Sequence, residues 1–386
     1  MATARLSRKR ARTSTSAAST SCNVHSRGAS IRPHLVVVRP KPDCRPTTYF
    51  RKDFRMAKRL TQLQLLTELE PVAAHNLNRH LSLAKEWHPH DYVPWDGGRN
   101  FAAMGGIDWD REQSRLSDVA KAAMITNLLT EDNLPSYHRV IAEHFSRDGA
   151  WGTWVGRWTA EENRHGIVMR DYLVVTRGVD PVELERARMA AMTKGFDPMS
   201  AVGQADIDSD ELADAGFLHA IAYVTFQELA TRLSHRNTGT VCDDPIADRM
   251  LQRIAADENL HMIFYRNMCA AALDLAPDQA LEAISMMLRN FQMPGTENPN
   301  FRRYGALMAT HGIYDRRQHL EVVVMPVLRT WKVFERNDFT AHGERTREEL
   351  AGYLAGYEKE ILRFEERRER IAARKASKQK TPAPSS

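Results

Sequence analysis

From about residue 60 to residue 372, apolar residues recur every three or four positions and strand-like alternation is rare. That period predicts helices at roughly 61–86, 115–145, 152–177, 181–194, 211–236, 245–274, 277–291, 317–337 and 346–372. Gly-, Pro- and Asn-rich breaks such as 95–106 and 292–302 supply the loops. Two of the apolar stripes carry polar residues in their seams. One reads Trp151, Val155, Trp158, Glu162, His165, Met169, Tyr172, and the other Ala247, Leu251, Ile254, Glu258, His261, Tyr265, Met268.

The pattern fails at both ends. Residues 1–55 are rich in Ser, Thr, Arg and Pro and show no sustained period, so they are expected to be a disordered extension. Their composition resembles an organellar transit peptide. Met56, followed by an amphipathic run, also reads as a natural start with upstream codons annexed, and this second reading is preferred. Residues 56–372 are expected to form the helical domain, and 373–386 a frayed tail.

Charge and cysteine content narrow the class. The first 55 residues hold thirteen Lys/Arg against Asp43 and Asp53, a local balance of +11, so the remainder of this +5 chain totals −6. The basic pI is therefore no argument for nucleic-acid binding, and no interleaved basic and aromatic motif supports it. No stretch approaches the roughly 18 uncharged apolar residues of a spanning helix. The four cysteines lack CxxC spacing, which suggests neither a zinc ribbon nor a disulfide framework and fits a reducing compartment. A cytoplasmic location is expected, or an organellar one if the extension is a transit peptide.

The seam residues carry the chemistry. In each helix a Glu and a His three residues apart project from one face, one turn apart, as a pincer for one ion. Alone the spacing is weak evidence: fifteen histidines, each with a roughly one-in-sixteen chance of a Glu three places before, give about one accidental match. Each pair, however, has another seam carboxylate upstream, Glu131 before Glu162 by 31 residues and Glu228 before Glu258 by 30. Each half then reads as one helical hairpin. A Glu from each of two helices and a Glu-x-x-His from each of two others is the pattern of ferritin-like dimetal bundles. The fold class expected is all-α, a ferritin-like di-iron four-helix bundle with flanking helices.

Two divalent ions would balance four buried carboxylates, and oxygen and imidazole ligands without thiolate suit iron or manganese. The alternative is acids neutralised by Arg or His, or acids that face solvent. Trp87-His-Pro-His-Asp91 is a weaker metal candidate.

Longer motifs point to a family. The stretches Leu129-Thr-Glu-Asp-Asn-Leu-Pro-Ser-Tyr137, Trp158-Thr-Ala-Glu-Glu-Asn-Arg-His-Gly166, Phe226-Gln-Glu-Leu-Ala-Thr231 and Ala256-Asp-Glu-Asn-Leu-His261 closely resemble the soluble acyl-acyl-carrier-protein desaturases, and residues 56 to about 340 look like their actinobacterial branch. The resemblance implies two iron ions, with Glu162 and Glu258 bridging, Glu131 and Glu228 terminal, and His165 and His261 on one iron each. It implies O2-dependent formation of a cis double bond in an acyl chain on acyl carrier protein, with electrons from ferredoxin or a similar donor. It also implies a Trp87, Asp257, His165 hydrogen-bond chain, a place for Thr231 near the oxygen-binding side, and a homodimer. Val140 and Pro198 are candidate walls for the acyl tunnel.

Pro135 removes the amide that would bond the Glu131 carbonyl and should bend the helix there. Other oxidases on the same scaffold, such as a ribonucleotide reductase small subunit, share the ligand set, and an iron-storage protein would need no tunnel. Deleting residues 1–55 is expected to leave the melting temperature and metal content unchanged. Thermal melting of the chain from Met56 checks this, and a fall of more than a few degrees contradicts it.

Overall fold

The computed structural model describes residues 59–196, 209–293 and 300–379, and the described residues contain helices and turns but no strand. The helices are α1 (Gln62–Leu83), α2 (Asp118–Glu131), α3 (Leu134–His144), α4 (Gly149–Val175), α5 (Pro181–Lys194), α6 (Ser209–Cys242), α7 (Pro245–Leu275), α8 (Pro277–Arg289) and α9 (Phe301–Thr310). They are followed by α10 (Arg316–Gln318), a π-helical turn (His319–Val324), α11 (Met325–Thr330) and α12 (Ala341–Gln379). The expected extension 1–55 and Pro198 lie outside the described residues.

Four helices form a closed square: α2 packs on α4 and α6, and α7 packs on α4 and α6. Helix α1 covers α4 and α7, α8 lies against α6 and α7, and α12 covers α8. Flat stacking of Trp154 on Phe264, with ring centroids 3.6 Å apart, joins α4 to α7. The Trp151 indole donates to the Leu66 carbonyl at 3.1 Å and seats α1 on the bundle.

Local chemistry explains the helix starts. Thr61 and Gln64 make a reciprocal capping box on α1. Asp180 and Asp244 cap α5 and α7, each followed by Pro at the first turn, where its missing N–H is harmless. Asp244 also accepts from the Tyr172 hydroxyl at 2.9 Å, pinning the end of α4 to the start of α7.

The period overran the breaks in two places. The expected helix at 115–145 is split into α2 and α3, because Pro135 has no N–H for the Glu131 carbonyl; the chain turns at Asp132–Asn133 instead of bending. The first half of the bundle is thus not a simple hairpin, since α3 intervenes between α2 and α4, whereas α6 and α7 are joined by a tight turn with Asp243 at φ 50°. The helix at 317–337 is likewise interrupted by the π turn just before Pro326, which cannot donate to the Val322 carbonyl. Helix α9 was not expected, and α12 begins five residues earlier and ends seven residues later than the period indicated.

The π turn places a histidine in a largely apolar setting. His319 stacks on Phe291 with centroids 4.8 Å apart and pairs through Nδ1 with the Tyr314 hydroxyl at 2.8 Å. Burial pushes its imidazole down from 6.5 to about 4. Between those values the unfolded chain binds more protons than the folded one, so stability falls as pH drops from about 6.5 towards 4. Allowing for the ring's partial contact with water, the loss is about 2 kcal/mol by pH 4. A His319→Gln variant, which keeps an acceptor for Tyr314, should show a shallower decline in chemical-denaturation midpoints over that range; parallel profiles would contradict the assignment.

Candidate metal centre

All six seam residues come together inside the square. Glu131 is the last residue of α2, Glu162 and His165 lie mid-α4, Glu228 lies on α6, and Glu258 and His261 lie mid-α7; none is more than 7% exposed. Their ligating atoms form two groups, Glu131, Glu162, His165 and Glu258, and Glu162, Glu228, Glu258 and His261, with the atoms of each group within 4.8 Å of one another. Glu162 and Glu258 belong to both. Each histidine turns Nδ1 inward: His165 Nδ1 lies 3.5 Å from Glu162 and 3.3 Å from Glu258, and His261 Nδ1 lies 2.7 Å from Glu162 and 3.5 Å from Glu228.

Two features let α2 end at this depth. Gly166 follows His165 on α4, and a Cβ there would stand 3.2 Å from the Asp132 carboxylate and 3.7 Å from the Glu131 side chain. Glu131 and Asp132 also sit at the carbonyl end of a helix, where the macrodipole disfavours acids. Arg188 from α5 offsets this with a two-pronged pair to Asp132, at 2.5 and 3.1 Å.

The inward atoms are unsatisfied. Glu162 Oε1, Glu228 Oε2, Glu258 Oε1 and both Nδ1 atoms are buried and, close as they lie, none makes a hydrogen bond of proper geometry, whereas buried polar atoms are normally paired. Burial, then repulsion from Glu162 and Glu258, raises the Glu228 carboxyl far above its ordinary range. Burial opposes charge on the two imidazoles, yet the bond His165 makes to Asp257 and the carboxylates facing it, and the Glu162 charge beside His261, push both well up. Without metal, the site can relieve its charge only by taking up protons. Two divalent cations would fill the same orphan atoms and balance four carboxylates, so these residues fit a dimetal group.

Behind each histidine sits an acid. His165 Nε2 reaches Asp257 at 3.4 Å, and Asp257 also accepts from the Trp87 indole at 2.7 Å, from Arg164 at 2.9 Å and from Arg253. Burial alone would raise the Asp257 carboxyl, but the His165 contact foremost holds it below the usual carboxylate range. The Trp87 ring lies parallel to His165, centroids 6.2 Å apart, under the Arg164 guanidinium. Thr231 Oγ lies 3.1 Å from Glu258 Oε2 and 3.1 Å from the Glu228 carbonyl.

Sequence reasoning missed the matching acid on the other side. His261 Nε2 donates to Glu161 Oε2 at 2.9 Å, His80 Nε2 meets the same oxygen at 2.9 Å, and Arg157 reaches Glu161 Oε1 at 2.5 Å. His80, Glu161 and His261 also cluster closely enough for a metal. Two imidazole nitrogens already share Oε2 and Arg157 ion-pairs with Oε1, however, and together they make this carboxylate a bracket for the histidines. The signal for it was available: an acid directly precedes the Glu of both Glu-x-x-His motifs, at Glu161 and Asp257. His88 and His90 are largely exposed and stack on each other away from any such cluster among the described residues.

A narrow apolar slot adjoins the centre. It is lined by Tyr137, Val140, Ile141, Trp158, Tyr223 and Val224, and its volume is about 10 Å³. The Trp158 indole donates to Glu228 Oε1 at 2.9 Å, which links slot and centre through one side chain.

Fold and site together define the ferritin-like class, in which a helical bundle gathers carboxylates and imidazoles able to hold two metal ions. The fatty acid desaturase family model matches residues 61–383, and the chain belongs to that family. It is 55% identical over 321 residues to DesA1 of Mycobacterium tuberculosis, named an acyl-acyl-carrier-protein desaturase, covering 83% of this chain and 93% of that one. A chloroplastic stearoyl-acyl-carrier-protein 9-desaturase of Simmondsia chinensis is 28% identical over 313 residues, covering 75% and 74%. The X-ray structure of DesA2 from Mycobacterium tuberculosis H37Rv superposes with a TM-score of 0.57 at 31% identity, covering 70% of this chain and 96% of that one.

Replacing Glu162, common to both groups, should disturb metal binding more than replacing Asp257, which touches only the back of one histidine. Metal analysis is expected to find less than about one ion per chain in Glu162→Ala, and close to two in Asp257→Asn with binding weakened roughly 10- to 100-fold. Two ions per chain retained in both variants would contradict the ligand assignment.

Proposed function

We propose that this protein introduces a cis double bond into a saturated fatty acyl chain carried on acyl carrier protein, consuming O2 and two electrons at a carboxylate-bridged di-iron centre. The observation that carries this reading is the pair of buried groups, each of three carboxylates and one imidazole, that share Glu162 and Glu258. The narrow apolar slot beside Trp158, whose indole is bonded to Glu228, marks the side from which an acyl chain would approach. The family membership and the desaturase names of the relatives support the same reaction.

The reaction removes one hydrogen from each of two adjacent methylenes; with O2, two electrons and two protons, it yields the alkene and two waters. Side-chain acids and bases have no purchase on an unactivated C–H bond, so the oxidising power is the chemistry the two irons supply when bound. Glu162 and Glu258 would be shared by both ions, Glu131 and Glu228 would each serve one, and His165 and His261 would bind through Nδ1. Asp257 and Glu161 orient the imidazoles by holding Nε2. Thr231 steadies Glu258 from the α6 side. Trp87 closes the back of the site through Asp257. Val140, Ile141 and Val224 beside the centre would keep water from the reacting carbons.

The electron donor is ferredoxin or a similar protein, and the working form is a homodimer. No helix among the described residues is long and apolar enough to cross a membrane.

Protein reduced under argon, loaded with stearoyl-acyl carrier protein and exposed to O2 should give a cis-alkene in a single turnover. Mass spectrometry should find the acyl group lighter by about two mass units; a gain of about sixteen would mean hydroxylation. The free fatty acid should react poorly, because binding of the remote carrier positions the chain. No change with any chain length despite full iron loading would contradict the proposal and favour a storage or inactive relative.

A further inference from the structure

Glu131 differs from the other three carboxylates of the centre, because one of its oxygens is bound by a histidine outside the six. His235 on α6 is 1% exposed, and its Nε2 lies 2.8 Å from Glu131 Oε1 and 3.8 Å from Glu258 Oε1. The other oxygen, Glu131 Oε2, faces inward, 3.7 Å from His165 Nδ1. His235 falls on the face of α6 that carries Glu228 and Thr231, seven and four residues before it.

The ring is held from behind by a buried network of defined polarity. Asn127, one turn before Glu131 on α2, directs its amide Nδ2 to His235 Nδ1 at 3.3 Å and to Thr238 Oγ1 at 3.2 Å. Its Oδ1 accepts from Ser234 Oγ at 2.7 Å. An amide donor at Nδ1 makes that nitrogen an acceptor, which leaves the ring proton on Nε2, aimed at Glu131. The reverse amide orientation would set a bare Nε2 lone pair against a carboxylate oxygen. Glu228 is treated alike on the far side, with Oε1 taken by the Trp158 indole and Oε2 left unpaired.

We propose that His235, set by Asn127, is a positioning residue that holds Glu131 through Oε1 and so orients this carboxylate toward one of the two metal ions. The proposal rests on reading the six residues as a dimetal centre. It predicts a site-selective effect, because His235 grips a carboxylate that belongs to only one of the two groups. A residue serving only to pack α2 on α6 would affect both ions, or melting alone.

The test is stepwise titration of metal-free protein with Co2+, followed by visible absorption and chelator competition, with circular dichroism to verify folding. Wild-type protein should bind two Co2+ per chain. In His235→Leu, one of the two steps should weaken on the order of ten-fold with an altered spectrum while the other is unchanged. His235→Gln, which can still donate, should restore most of the loss. Asn127→Ala, a milder change should the leucine variant fold poorly, should weaken the same step by a smaller factor. Folded variants that titrate like wild type, or that weaken both steps equally, overturn the proposal and leave the dimetal centre standing. A wild-type chain that takes up no Co2+ overturns both.

Discussion

Four carboxylates held together away from water are the constraint around which this protein is built. Glu131, Glu162, Glu228 and Glu258 repel one another in an interior that neither solvates nor screens them, and such an arrangement persists only with compensating cations. Two divalent ions would relieve that repulsion, and the square of α2, α4, α6 and α7 supplies the rigid frame. The aromatic packing of Trp154 on Phe264 and the capping of α7 by Asp244 serve the same end, since small helix shifts would misplace ligand atoms.

The two brackets behind the histidines cross between helices. Asp257 on α7 holds His165 on α4, and Glu161 on α4 holds His261 on α7. Each helix therefore supplies a metal-facing pair and also the orienting acid for the other helix. The brackets differ in their outer partners: Trp87, Arg164 and Arg253 surround Asp257, while His80 and Arg157 surround Glu161. An indole stacked parallel to His165 lies on one side, and a second imidazole stacked on His261 lies on the other. The near-symmetry of the motifs is thus broken in their surroundings, which is where two chemically equivalent metal positions become distinct.

Much of this was legible in the chain. The Glu-x-x-His pairs and their upstream carboxylates lie in the apolar stripes of their helices, and helical periodicity places each on the inward face of its helix without knowledge of packing. Trp87 and Asp257 became visible only through family resemblance, because their contact joins positions 170 residues apart. His80 and His235 lay beyond reach. Each reads as a histidine on an apolar face, and nothing local says that one meets Glu161 and the other Glu131.

By itself, then, the sequence determined the helical class, the six inward residues and the chemistry that four acids and two imidazoles demand, since those depend on residue type and on a spacing of three or four. Tertiary structure decided where helices break, as at Asp132–Asn133 and the π turn, because a proline's missing donor is absorbed by a bend or a break according to what packs beside it. It also decided which nitrogen of each histidine faces inward, which oxygen of Glu131 and Glu228 stays free, and that Trp158 touches both slot and centre. Those are properties of side chains meeting across helices, and no periodicity within one helix encodes them.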